Sequence, residues 1–181
     1  MKPQRLSGTL SEGLCIYTKI MKLIPLTQGK FAMVDDADYE WLNQWRWYAV
    51  CFVSGGWYVR HNNMSKTKTQ TETMHALIMC NNPEGLYIDH KDGNGLNNQR
   101  SNLRFATMAE NNRNRKLQKN NMCGYKGVQV RESGNFRCRI RVCGILINIG
   151  TYSHIENAAR AYDTAAIKYF GEFAKLNFPL L

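Results

Sequence analysis

Residues 88–111 read IDHKDGNGLNNQRSNLRFATMAEN, and this stretch restricts the local fold more than any other part of the chain. Asp92-Gly93 and Asn94-Gly95 are strong turn dipeptides. Residues 103–106 then read as a short strand. Thr107 and Glu110 have capping-box spacing, in which a hydroxyl and a carboxylate satisfy the free amides of a helix start. The plan is strand, loop, strand, helix. It places Asp89 and His90 on the first limb, Asn102 beside the second and Asn111 on the helix.

Those four residue types suit metal-assisted cleavage of a phosphodiester. A hard ion such as Mg²⁺ or Mn²⁺ prefers oxygen ligands and keeps several waters, so the carboxylate of Asp89 and the amide oxygen of Asn111 are a sufficient protein contribution. An imidazole titrates near neutrality, so His90 can take a proton from an attacking water. A side-chain carbonyl such as that of Asn102 can fix the tautomer and orientation of the ring.

The pattern resembles the HNH nuclease motif, in the H-N-N variant of phage and intron-type homing endonucleases, over residues 74–114. His90 matches its first position, Asn102 the second, twelve residues on, and Asn111 the third, nine further. Many relatives have His at that third position. Asp89 matches the acidic metal ligand before the base. No zinc-knuckle cysteines flank the motif. The resemblance implies a ββα-metal nuclease with His90 and Asn102 catalytic and Asp89 and Asn111 on the metal. His75 matches a His frequent upstream in the family; the plainer reading is a hydrogen-bonded structural histidine.

The formal charge of the 181-residue chain is +10, which points to a polyanionic partner. Residues 100–150 hold eleven Lys or Arg against two Asp or Glu, a concentration suited to following a phosphate backbone. No apolar run of about eighteen residues exists to span a membrane. The six cysteines show no CxxC pair, which argues against a zinc site and fits a reduced, intracellular protein. The resemblance implies that this setting is the cytoplasm of a bacterial host, with the gene borne by a phage or mobile element.

Residues 1–20 lack periodicity and are expected to be a disordered, dispensable extension, since MKLIPLTQGKFAMVDD from Met21 looks like a natural start. Residues 21–118 are expected to form the nuclease domain with a small supporting N-terminal sheet. Strands fall at 23–25 and 30–34. Asp35 or Asp36 caps a short helix carrying Trp41 and Trp45 one turn apart. Residues 47–53 and 57–61 pair as a hairpin, with the tryptophans read as core. Residues 62–70 read as a polar loop whose Lys66 and Lys68 could touch phosphates or simply be solvated. Residues 74–80 are a short helix or a strand. Residues 119–123 are a linker.

Residues 124–181 have a separate plan. Strands are expected at 126–131, 135–142 and 145–149. In FRCRIRV, period two sets Arg137, Arg139 and Arg141 on one face and Phe136, Cys138, Ile140 and Val142 on the other. Ser153-His154-Ile155-Glu156 reads as a capping box, Gly171 as a C-cap. Ala158, Tyr162, Ala165, Ala166 and Tyr169 form a stripe at helical spacing, read as core. This segment, with its AARAYD, AAIKYFGEFAKLNFP and Gly127 and Gly150, resembles an AP2 DNA-binding domain, whose three-stranded sheet contacts the major groove. The resemblance carries over to Lys126, Gly127, Gln129, Arg131, Arg139, Arg141 and Tyr162. It departs from the plant form where Gln129 replaces an Arg, Arg139 a Glu, and Ser133 and Asn148 strand tryptophans. Apart from Tyr162, these positions, with Arg137 on the same strand face and Arg113, Arg115 and Lys116 before the linker, are the expected DNA contacts.

The expected fold class is therefore α+β: a ββα-metal (HNH) nuclease domain, then a three-stranded antiparallel sheet packed on one helix. The expected activity is metal-dependent, site-directed cleavage of double-stranded DNA. A monomer is expected, with a dimer left open because one such centre cuts one strand at a time. The alternative is a non-catalytic DNA-binding regulator with a silent nuclease domain. An RNA-binding protein fits less well, since the stacking motifs of RNA modules are absent.

Overall fold

Apolar residues alternate along Ile24, Ala32 and Val34, and this pattern buries one face of the first hairpin. In a computed structural model of the chain, which describes residues 21–52, 56–64, 69–80, 82–115, 117 and 121–179, strands β1 (Met21–Pro25) and β2 (Phe31–Asp35) pair antiparallel. Helix α1 (Asp36–Leu42) follows. A second antiparallel sheet is ordered β3 (Tyr48–Cys51), β4 (Trp57–Met64), β5 (Thr69–Thr73). Helix α2 (Met74–Met79) runs directly from its last strand.

Ile24, Val34, Leu42, Trp47, Val59, Met74, Ile78 and Leu103 close one core. Trp47 is buried with its Nε1 donating to the Leu42 carbonyl at 2.8 Å, so its ring adds apolar area without an unpaired donor. Each such fully buried side chain contributes roughly 1.5–3 kcal/mol. The tryptophans at 41, 45 and 47 pack edge to face, with Trp47 in the core and Trp41 and Trp45 half-buried against it, while Trp57 lies half-buried beneath the Lys30 ammonium and outside that core; α1 ends before Trp45.

Across that core lie the antiparallel strands β6 (Tyr87–His90) and β7 (Leu103–Ala106), then helix α3 (Met108–Arg113). The Thr107–Glu110 capping box is present in full. Asp35 does not cap α1 through its side chain. Its carboxylate instead accepts from Gln99 Nε2 at 3.2 Å and the Arg100 amide at 2.9 Å. Asp38 takes both Nε and Nη2 of Arg100 at 2.8 Å. The 91–102 loop is thus clipped to the first hairpin and α1.

The C-terminal sheet is ordered β10 (Ile145–Tyr152), β9 (Phe136–Val142), β8 (Val128–Val130), all antiparallel, under helix α4 (Ile155–Phe170). Val128, Cys138, Ile140, Ala158, Ala159, Tyr162, Ala166 and Phe170 form a second core. Buried Asp163 accepts from the Asn177 and Phe178 amides at 2.8 and 2.9 Å, and Asn177 Oδ1 accepts from the Lys126 amide at 2.7 Å. The molecule is a mixed α+β chain with four small antiparallel sheets among the described residues.

Several expectations shift. Strands β4 and β5 occupy both ends of the 62–70 loop, because polar Thr and Asn residues pair as an edge hairpin. Lys66 and Lys68 lie outside the described residues, as do residues 1–20 and residues 119 and 120 of the expected linker. β8 starts at Val128 because Gly127, at φ 73°, bends the chain before it. His154, not Ser153, is the α4 N-cap, and no side-chain cap forms. Tyr169 is 40% exposed and Phe170 enters the core in its place, since that position faces the sheet.

Candidate functional site

Asp89 and His90 are consecutive on β6, so their side chains leave opposite faces of the strand pair. Asp89 stands opposite Arg104 and His90 opposite Leu103. Both are enclosed, at 5% and 4% exposure. Arg104 Nε and Nη2 donate to Asp89 Oδ2 at 2.9 and 2.8 Å. Asn114 Nδ2 reaches Asp89 Oδ1 at 3.0 Å, Oδ2 at 3.1 Å and the His90 carbonyl at 2.8 Å. A buried carboxylate without such partners would lose several kcal/mol. Asn114 closes α3 as its C-cap residue, one helical turn beyond Asn111.

The face of His90 is built by other residues. Asn98 is fully buried, and its Nδ2 is directed to the Gly95 carbonyl at 3.4 Å. That turns its Oδ1 toward His90 Nε2, also at 3.4 Å. An amide oxygen only accepts, so Nε2 carries the proton and Nδ1 keeps its lone pair. The rings of His75 and Tyr58 stand edge-on to His90, with centroids at 5.1 and 5.8 Å. Burial lowers the His90 pKa below its usual range, opposed by Asn98, Asp92 and Asp89. Burial, with smaller contributions from His90 and Arg60, pushes His75 down to about 3. His75 Nε2 lies 3.1 Å from the Thr73 hydroxyl, and its Nδ1 is buried with no hydrogen-bond partner among the described residues.

A stability test follows. The unfolded chain protonates a His near 6.5, whereas the folded chain keeps His75 neutral down to about 3. The stability tied to this ring is therefore complete above 6.5 and is lost as pH falls through that window. Urea midpoints should decline with acidification in the wild type and decline less in His75→Gln. Equal slopes would show that the ring is accessible to protons.

The remaining site residues sit as follows. Asn102 does not face His90. Its Oδ1 accepts from the Asp92 amide at 3.1 Å, and its Nδ2 donates to Asp92 Oδ1 at 3.0 Å and the Asn97 carbonyl at 2.8 Å. It staples the 91–102 loop shut. Asn111 lies half-buried on α3, and its side chain makes no hydrogen bond among the described residues. No group of three or more His, Cys, Asp or Glu converges among the described residues. The sequence reading missed Asn98 and Asn114. The three-residue interval from Asn111 to Asn114 was the available signal for the second.

On the C-terminal sheet, Cys138 and Ile140 are buried while Arg137 and Arg139 are half-exposed and Arg141 is exposed. Arg139 donates to Gln129 and Arg141 to the Gly144 carbonyl. Arg131 is exposed at the end of β8. Gly127 packs on the Tyr162 ring. Lys126 Nζ donates to the carbonyls of Arg113 and Arg115 at 2.9 Å each, and burial, then Lys175, pushes its pKa down to about 8. Arg113 stacks over Phe170, Arg115 is exposed, and Lys116 is outside the described residues.

Residues 81–113 match the model of an HNH endonuclease family. An uncharacterised HNH endonuclease of Acanthamoeba polyphaga mimivirus is 31% identical over 150 residues, 83% of this chain and 76% of its own length. Protein 3.8 of Escherichia phage T7 is 37% identical over 94 residues, 51% of this chain and 77% of that protein. An AP2/ERF and B3 domain-containing protein of Oryza sativa subsp. japonica is 42% identical over 55 residues, 30% of this chain and 15% of its own.

Proposed function

Because the chain belongs to the HNH endonuclease family and joins that unit to an AP2-like domain, we propose that it cuts double-stranded DNA by metal-dependent hydrolysis of a phosphodiester. The observation that carries this reading is the adjacent, enclosed pair Asp89 and His90 inside the matched segment, with the His90 Nε2 proton directed to Asn98. His90 Nδ1 is left to take a proton from the attacking water. The bond broken is the phosphorus–oxygen bond of the DNA backbone. Asn98 holds the tautomer, a role the sequence reading gave to Asn102, and Asn102 keeps the loop closed around it.

The donor set fits a hard divalent ion, because it offers a carboxylate on Asp89 and an amide oxygen on Asn111 and no thiolate. Mg²⁺ or Mn²⁺ held there would stabilise charge on the phosphoryl and leaving oxygens. Arg104 and Asn114 orient the Asp89 carboxylate through their hydrogen bonds to it.

The sheet β8–β10 is the proposed targeting surface, with Gln129, Arg131, Arg137, Arg139 and Arg141 toward the major groove. Lys126 and Gly127 support that surface from behind. The proposed units are 21–118, a linker at 119–123, and 124–181. The reading includes homing-type targeting by a monomer, in a phage- or mobile-element-borne protein acting inside a bacterial host. No helix among the described residues is long and apolar enough to cross a membrane.

A supercoiled plasmid should be nicked by the wild type with Mg²⁺ and spared with EDTA. Binding without any nicking would favour the silent regulator, which the intact Asp89, His90, Asn102 and Asn111 oppose. Arg139→Ala and Arg141→Ala should each weaken DNA binding and reduce the slope of affinity against salt by about one. Unchanged slopes would move the contact surface elsewhere.

A further inference from the structure

The guanidinium of Arg104 is divided between the two parts of the molecule. On one side it donates twice to Asp89. On the other, Nη1 donates to the Glu172 carbonyl at 2.6 Å and lies 3.4 Å from Glu172 Oε2. Its carbon sits 3.9 Å from the centroid of the Phe173 ring. The side chain is 9% exposed. Glu172 and Phe173 belong to a single helical turn after α4, and they reach Arg104 because Gly171, at φ 54° and ψ −129°, redirects the chain. Arg113 over Phe170, Lys126 on the end of α3, and Lys175 Nζ on the Asp92 carbonyl at 3.2 Å seal the same joint.

A guanidinium is a rigid planar fork, so its orientation toward one partner fixes its orientation toward the other. We propose that Arg104 is a positioning residue through which the C-terminal domain sets the Asp89 carboxylate, making the DNA-binding domain part of the cutting unit. The inference takes the role of Asp89 from the reading above. A carboxylate held by hydrogen bonds from a second layer presents its free lone pairs in one direction, and loosening that layer weakens the ion it holds.

The test uses the full chain. Mn²⁺ affinity is measured on the DNA-free protein by electron paramagnetic resonance, DNA affinity in EDTA by anisotropy, and kcat at saturating DNA. Phe173→Ala removes the stacking face without touching Asp89. Arg104→Lys keeps the charge and loses the fork. Each should weaken Mn²⁺ binding about tenfold and lower kcat comparably, with DNA affinity in EDTA unchanged within about twofold. Phe173→Ala with native Mn²⁺ affinity and native kcat would overturn the proposal, even if Arg104→Lys were impaired. A wild type that binds Mn²⁺ but cuts no DNA would refute the nuclease reading alone, and the Mn²⁺ titrations would still decide the link.

Discussion

Replacing His90 by alanine should lower kcat on the order of 10³-fold while DNA affinity stays near that of the wild type. The ring sits in an enclosed slot beside Asn98, His75 and Tyr58, and none of the proposed DNA contacts is among those partners. Its loss leaves a cavity and the unpaired Asn98 oxygen, so some stability is lost as well. Circular dichroism and anisotropy in EDTA would confirm that the variant still folds and binds. The pH profile adds a second check. A base must be neutral to act, and burial lowers the His90 pKa, so cleavage should persist somewhat below pH 6.5 before it falls. If His90→Ala still cuts, with the same acid limb, the base lies elsewhere and the neighbouring His75 becomes the group to replace.

Gly127→Ala should unfold the C-terminal domain or cost it about 3 kcal/mol or more. A Cβ there would lie 2.0 Å from Tyr162 Cδ2 and 2.8 Å from the Arg139 carbonyl oxygen, at a φ of 73° that alanine resists. Tyr162 cannot swing aside, because it is packed between the helix and the sheet. Gly134→Ala is the matched control. It shares a positive φ, 78°, but its Cβ would meet open space, so it should cost only about 1 kcal/mol. Urea denaturation of the two variants, with DNA affinity measured alongside, separates steric from conformational cost. Equal midpoints would mean that the Gly127–Tyr162 approach is not what holds the sheet to the helix.

Local chemistry made part of this molecule legible in advance. Period two in FRCRIRV located β9 and its buried Cys138 and Ile140, and the Thr107–Glu110 interval located the start of α3. Gly171 marked the end of α4 for the reason that only its backbone takes that turn without strain. Contacts set by packing were hidden. Asp35 does hold the N-cap position of α1, yet its carboxylate serves an amide 65 positions away. Asn102 had the motif spacing for a partner of His90, but the closed loop brings Asn98 to the ring instead. Lys126 carried a charge suited to phosphate, and the fold places it on the carbonyl end of α3. In each case the side-chain type was readable, while the partner depended on which distant segment arrived beside it.

The clamp of Asp163 on residues 177 and 178 bears on the order in which the protein is made. Asn177 also holds the Lys126 backbone, 51 positions earlier, so the second core is tied off only after its far end has left the ribosome. Among the described residues, the first core draws its buried side chains from no later than Leu103. A nascent chain can therefore close its first core before residues 177 and 178 emerge to tie off the second.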